Sequence, residues 1–360
     1  MSVRERIRVL VIDDSAFGRR TIARMLETSP LVQVVDVARD GEEALRKTFE
    51  LRPDLVTLDL EMPRMDGFTF LRLVMTRQPT PVIVISARSG EQDVFKALDL
   101  GAIDFLAKPT AKPGPELGSI QEELIRKVHA LPELRLDKVQ GRMAATPPVV
   151  QRRDAPPAGG PRVVGIGSST GGPAALMRIF GALVEPPPAA ILVSQHMPAG
   201  FTKGFADRVD RLTPLRAREA QDGDEPAPGQ VLVAPGGRHL ELESQRGRVV
   251  VRLTARTPED KYAPSVDRML ASAAKHYGAD LLAVVLTGMG DDGRRGVMAV
   301  KQAGGTVVAE SEETAVIFGM PQQAIRSGAV DAVLPLDEIA GVIQAGVARE
   351  RATTREGGKA

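Results

Sequence analysis

In the C-terminal half, three apolar runs are each followed within a few residues by a side chain used in nucleophilic acyl chemistry. Residues 162–167, RVVGIG, give way to Ser168, Ser169, Thr170, Gly171 and Gly172; residues 189–194, AAILVS, to Gln195 and His196; residues 281–286, LLAVVL, to a turn from Thr287 to Gly293 that holds Asp291 and Asp292. A serine hydroxyl is a weak nucleophile until a base takes its proton. Imidazole does this near neutral pH, and a carboxylate fixes its tautomer and stabilises the imidazolium. Glycines on both turns let amides approach a developing oxyanion without a Cβ in the way. Each residue also has a plain structural use: either serine can cap a following helix or face an anion there, and either aspartate can cap a helix beginning near Gly293. Composition does not separate the members of either pair. His129 and His276 fall in helical stretches, and His239 follows a Pro-Gly-Gly turn before a strand. That leaves His196 as the leading base and His239 as its rival. Gly167-x-Ser169-x-Gly171 has nucleophile-elbow spacing, but the order Ser, His, Asp departs from the Ser, Asp, His of α/β-hydrolases.

A second constellation lies in the N-terminal half. The run IRVLVI (7–12) ends in Asp13 and Asp14, DLVTL (54–58) in Asp59, PVIVI (81–85) in Ser86, and AIDFLA (102–107) in Lys108-Pro109. Three clustered carboxylates repel one another unless a cation sits among them, which suits a hard, oxygen-ligated Mg²⁺. A carboxylate beside Mg²⁺ and a lysine can attack a phosphoryl donor, because both cations stabilise the transferring oxygens. Singly, Asp13 or Asp14 is an ordinary N-cap and Lys108 a surface charge; the joint placement at successive strand ends carries the weight.

The elements that must position these residues are βα units. Short β-branched runs alternate with amphipathic helical stretches in both halves, the pattern of parallel sheets, whose ligands sit beyond the carboxyl ends of the strands. Residues 214–253 read instead as antiparallel strands and turns. Between the halves, Gly141 to Pro161 has five prolines and three glycines and no apolar period, so it reads as a linker. The 360 residues suit two bodies, each able to bury a core. The formal net charge of +1 gives no electrostatic reason to expect nucleic acid or membrane. The absence of cysteine removes disulfides, thiolate metal sites and Cys nucleophiles. No apolar run reaches the ~20 residues of a membrane span, and the start MSVRERIRVLVIDD is too short in its apolar part for a signal, so a cytoplasmic protein is expected.

The segments VIDDS (11–15), LDLEMPRMDG (58–67), VIVISA (82–87) and FLAKP (105–109) resemble response-regulator receiver domains, over about residues 5–130. That resemblance implies a flavodoxin-like fold in which Asp59 accepts a phosphoryl group from a chemotaxis histidine kinase. It further implies Mg²⁺ held by Asp13, Asp14 and Asp59, and Ser86, Phe105 and Lys108 acting in the switch. IGSSTGGP (166–173), SQHMPAGFT (194–202), VLVAPGGRHLEL (231–242), SVDRML (265–270), VLTGMGDDG (285–293) and IFGMP (317–321) resemble the methylesterase domain of chemotaxis protein-glutamate methylesterases/glutamine deamidases. This implies Ser169 as nucleophile, His196 as base, Asp292 as orienting carboxylate, and Thr170, Gly171 and Met289 around the substrate and oxyanion, with no cofactor for the ester reaction. Two departures stand out: Ser168 puts a second hydroxyl before the nucleophile, and Asp291 stands where the family commonly has Asn.

The expected architecture is therefore α/β: two doubly wound parallel-sheet domains, a flavodoxin-like receiver (1–131) and a Rossmann-like catalytic domain with an antiparallel addition (162–350), joined by a Pro-rich linker (132–161). The expected substrates are methyl-accepting chemotaxis receptors, and a receiver lying over the glycine-rich edge would block a bulky receptor helix. A catalytically silent phospho-dependent adaptor is the competing reading. A DNA-binding regulator is disfavoured by the lack of a helix-turn-helix pattern and of a basic footprint.

Overall fold

The computed structural model describes residues 6–86, 91–108, 115–144 and 162–345. In the N-terminal half the elements run β1 (Ile7–Ile12), α1 (Ala16–Glu27), β2 (Val32–Ala38), α2 (Gly41–Leu51), β3 (Leu55–Asp59), α3 (Gly67–Arg77), β4 (Val82–Ser86), α4 (Glu91–Asp99), β5 (Asp104–Ala107) and α5 (Pro115–His129). The strands pair in parallel in the order β2-β1-β3-β4-β5. Strands β3 and β4 are buried along their whole length, as continuous apolar runs covered by helices on both faces must be. The order reverses at β1, so the crevice opens beyond the ends of β1 and β3, where Asp13, Asp14 and Asp59 stand. The cap of α1 is Ser15, whose hydroxyl accepts from the Gly18 amide at 3.3 Å. Neither aspartate is needed for that task.

The stretch from residue 132, expected as linker, is structured at its start. A 3₁₀ turn (Leu131–Glu133) leads into α6 (Leu136–Ala144). Val139 is buried, Leu134 bridges Ile317, and the Arg135 amide donates to the Val316 carbonyl at 2.9 Å. Leu134, Leu136 and Val139 supply an apolar face with something to pack against, which the polar residues around them concealed. The rest of the Pro-rich stretch, 145–161, lies outside the described residues.

The C-terminal half continues as β6 (Val163–Ser168), α7 (Gly172–Ala182), β7 (Ala190–Gln195), α8 (Thr202–Leu212), β8 (Arg216–Glu219), β9 (Gln230–Val233), β10 (Arg238–Gln245), β11 (Arg248–Ala255), α9 (Val266–Tyr277), β12 (Leu281–Val285), α10 (Arg294–Gln302), β13 (Thr306–Glu310), α11 (Gly319–Arg326), β14 (Ala332–Leu334) and α12 (Leu336–Ala345). Seven of these strands form one sheet in the order β14-β13-β12-β6-β7-β9-β8, and each pairing is parallel. This corrects the expectation for residues 214–253: only β10 and β11 are antiparallel, and β8 and β9 extend the parallel sheet. Short strands joined by Gly- and Pro-containing turns carry the same local signature in either direction, so pattern alone could not set their sense. Strand β6 is central, with β7 on one side and β12 on the other, and the order reverses there. The crevice beyond these three strands is where Ser169, His196 and Asp292 follow.

The two halves pack against each other. Phe105 on β5 lies 4.9 Å from Phe201 between ring centroids, and Phe95 on α4 lies 5.9 Å from Phe205 on α8. Arg208 pairs with Asp99 at 2.6 Å.

Candidate active site

Ser168 pairs with Gln195 as the last register of β6 and β7, and the His196 amide donates to the Ser168 carbonyl at 3.0 Å. The next residues on the two strands, Ser169 and His196, are therefore neighbours across a strand spacing of about 5 Å. On the other side, the Ser169 amide donates to the Thr287 carbonyl at 3.0 Å. The Gln195 carboxamide clamps the junction: it donates to the Ser169 carbonyl at 2.9 Å and the His196 carbonyl at 3.0 Å and accepts from the Ser168 hydroxyl at 2.6 Å. This separates the adjacent serines, since Ser168 is wholly buried with its hydroxyl committed to Gln195. Ser169 sits where the chain turns into α7 through Gly171, whose φ of +78° favours glycine.

His196 Nε2 lies 2.8 Å from Asp292 Oδ2. A carboxylate only accepts, so the neutral ring carries its proton on Nε2 and leaves Nδ1 as the basic nitrogen. Asp292 is held by the start of α9: Oδ2 accepts from the Val266 amide at 2.7 Å, and Oδ1 from the Asp267 amide at 2.9 Å and the Ser265 hydroxyl at 3.0 Å. Burial pushes its carboxyl up, but the bond from His196 and the amides of Asp267 and Val266 outweigh that and hold it below the usual range. A helix N-terminus favours this charge. Asp291 points elsewhere, exposed and paired with Lys261 at 2.9 Å. Among the described residues no hydrogen bond joins the Ser169 hydroxyl to the imidazole; such contacts are often long before substrate binds.

Of the remaining expected residues, Met289 packs in an apolar cluster with Val316, Ile317, Leu124 and Val128. Thr170 is buried, and its hydroxyl donates to the Asp104 carboxylate at the head of β5. Asp104 also takes the Lys127 ammonium at 2.5 Å. A residue expected to face substrate is thus tied to the N-terminal body. His239, the rival base, is fully buried on β10 and lies 3.1 Å from Asp260. Sequence reasoning missed Gln195, Asp104, Tyr262 and Arg126, whose guanidinium lies 5.2 Å from the Tyr262 ring centroid. The Tyr262 ring stacks on His196 with centroids 4.4 Å apart and planes 7° apart. Nothing in local patterning marks a loop tyrosine as the neighbour of a histidine on another strand.

At the other crevice, Lys108 Nζ lies 2.6 Å from Asp59, 3.2 Å from Asp13 and 4.0 Å from Asp14. One oxygen from each of Asp13, Asp14 and Asp59 falls within 4.8 Å of the others. Burial pushes Asp59 up to about 6 against the pull of Lys108, and raises Asp13 as well. Two carboxylates disfavoured as anions, with one ammonium between three, form a donor set short of positive charge, which suits a hard divalent cation. Ser86 is buried, and its carbonyl accepts from the Lys108 amide at 2.7 Å.

Residues 164–343 match the family model of the CheB methylesterase, and residues 9–114 that of the response regulator receiver domain. A Geobacter sulfurreducens protein named protein-glutamate methylesterase/protein-glutamine glutaminase 3 is 52% identical over 93% of this chain and 95% of its own. A Myxococcus xanthus protein named protein-glutamate methylesterase/protein-glutamine glutaminase 1 is 51% identical over 98% and 100%. The solved CheB methylesterase catalytic domain of Thermotoga maritima is 46% identical, covering 51% of this chain and 97% of its own, with a TM-score of 0.49. Among the described residues no helix is long and apolar enough to cross a membrane.

Proposed function

From the premise that this chain belongs to the CheB methylesterase family and also carries a response regulator receiver domain, we propose that it is a phosphorylation-controlled hydrolase of glutamate γ-methyl esters and glutamine amides on methyl-accepting chemoreceptors. The receiver occupies 1–131 and the catalytic domain 162–350, with a connector between them that includes α6. The observation that carries the reading is the 2.8 Å contact of His196 with Asp292, on strand ends that flank the strand leading to Ser169.

The Ser169 hydroxyl attacks the ester carbonyl as His196 Nδ1 takes its proton. The imidazolium is stabilised by Asp292 and then protonates the leaving oxygen as the ester C–O bond breaks, releasing methanol, or the leaving nitrogen of an amide, releasing ammonia. Water activated by the same imidazole releases the acyl group as glutamate. The Gly288 amide is committed to the Ile317 carbonyl at 3.0 Å, and the oxyanion is assigned to the amides of Thr170 and Met289 on the two glycine-rich turns.

Asp59 is the phosphoacceptor, served by a chemotaxis histidine kinase. Asp13, Asp14 and Asp59 would hold Mg²⁺, which neutralises charge on the incoming phosphoryl oxygens. Lys108 already bonds the Asp59 oxygen and would pair with the added phosphate, with Ser86 and Phe105 carrying the switch. The contacts Thr170 to Asp104 and Phe105 to Phe201 support a receiver that restrains the site until Asp59 is phosphorylated. The test is hydrolysis of a methylated receptor fragment followed by mass spectrometry. The parent should remove one methyl per site, faster with a small phosphodonor, and Ser169→Ala should be inert. Unchanged substrate with phosphorylated parent would refute the reading.

A further inference from the structure

A hydrogen bond from Nε2 to Asp292 anchors one corner of the His196 ring but leaves it free to pivot about that contact. The direction of Nδ1, and so of proton transfer from Ser169, depends on what sets the plane. The Tyr262 ring lies parallel to the imidazole at 4.4 Å and 7°. Tyr262 is itself restrained. Its hydroxyl is buried over Gly290, where any added Cβ would come within 2.2 Å of it. Two cations lie over the ring, Lys261 at 5.0 Å from the centroid and Arg126, from the receiver's α5, at 5.2 Å. Lys261 is held in turn by Asp291 at 2.9 Å.

We propose that Tyr262 is a positioning residue for the base: its stacked ring sets the imidazole plane, so that Nε2 stays on Asp292 while Nδ1 faces the nucleophile. This rests on the assignment of Ser169, His196 and Asp292 above. The stack, rather than the phenol group, does the positioning, so an aromatic replacement should serve and an aliphatic one should not.

The test uses the full chain with selectively ¹³C-labelled histidine, comparing the parent, Tyr262→Phe, Tyr262→His and Tyr262→Leu. Two readouts are taken: steady-state hydrolysis of the methylated receptor fragment with a small phosphodonor, and the His196 Cε1–H resonance, assigned with His196→Gln. Ring current from the stacked face should move that resonance upfield in the parent and in Tyr262→Phe. In Tyr262→Leu it should return downfield, and kcat should fall on the order of 10- to 100-fold with KM within about twofold. The Phe and His variants should keep kcat within about threefold of the parent, so the proposal stands or falls on them if the Leu variant does not fold. A Leu variant with parental kcat and an unmoved resonance overturns the proposal. So does a Phe or His variant as slow as the Leu variant. Hydrolysis that survives Ser169→Ala instead overturns the assignment on which the proposal rests, whatever Tyr262 does.

Discussion

The Ser168 hydroxyl donates to Gln195 Oε1 at 2.6 Å, and the same carboxamide holds the Ser169 and His196 carbonyls. The extra hydroxyl is therefore part of the clamp rather than a second nucleophile. Ser168→Ala should retain ester hydrolysis within about threefold and lose about 1–2 kcal/mol of stability, since a buried acceptor loses its donor. Denaturant titration and the receptor assay check the two halves; a large loss of activity at unchanged stability would give Ser168 a chemical role. Sequence alone left both Ser168/Ser169 and Asp291/Asp292 open. The first pair is separated by a glutamine on the next strand, the second by the start of α9, and neither partner is a local neighbour in the chain.

At the scale of elements, α9 and α10 hold one another's N-termini. Asp292, just before α10, accepts from the first amides of α9, while Asp267 in the first turn of α9 accepts from the Gly293 and Gly296 amides at 2.9 and 2.7 Å. Each carboxylate satisfies orphan donors of the other helix, which makes the partner of His196 part of the scaffold. The loop between β11 and α9 that carries Tyr262 is pinned by Asp260, which takes the Thr257 amide and hydroxyl and His239. Burial raises the Asp260 carboxyl, but the Thr257 and His239 bonds outweigh it and lower it to about 2 from an ordinary 3.8. A depressed carboxyl contributes stability that is complete above about pH 4 and is lost as pH falls towards 2. The contribution is on the order of 2 kcal/mol. Asp260→Asn should therefore flatten the fall in unfolding free energy between about pH 4 and 2; an unaltered slope would mean that Asp260 is not held as described. The helices were legible from their periodicity, but their mutual capping was not, because it joins segments separated by β12.

At the scale of the molecule, β5 carries both an aromatic and a carboxylate that reach the C-terminal half. Phe105 packs on Phe201, and Asp104, one residue earlier, receives the Thr170 hydroxyl and the Lys127 ammonium. A shift of β5 driven from Asp59 would disturb both contacts together. Asp104→Ala should raise hydrolysis by the unphosphorylated protein about 5- to 150-fold, the span of typical coupling free energies, and shrink the further gain from phosphodonor. An unchanged basal rate would exclude this carboxylate as a restraint.

The strand ends, the residue types at each end and the kinship of both halves were determined by the sequence itself, because apolar runs and turn residues encode backbone structure over a few neighbouring positions. The sense of β8 and β9, the helix hidden in the expected linker, the basic nitrogen of His196, and the meeting of Tyr262, Arg126 and Asp104 with the catalytic edge were decided only by tertiary structure. Each depends on which distant surfaces come to lie together, and a side chain's role there is set by neighbours that its own stretch of chain does not specify.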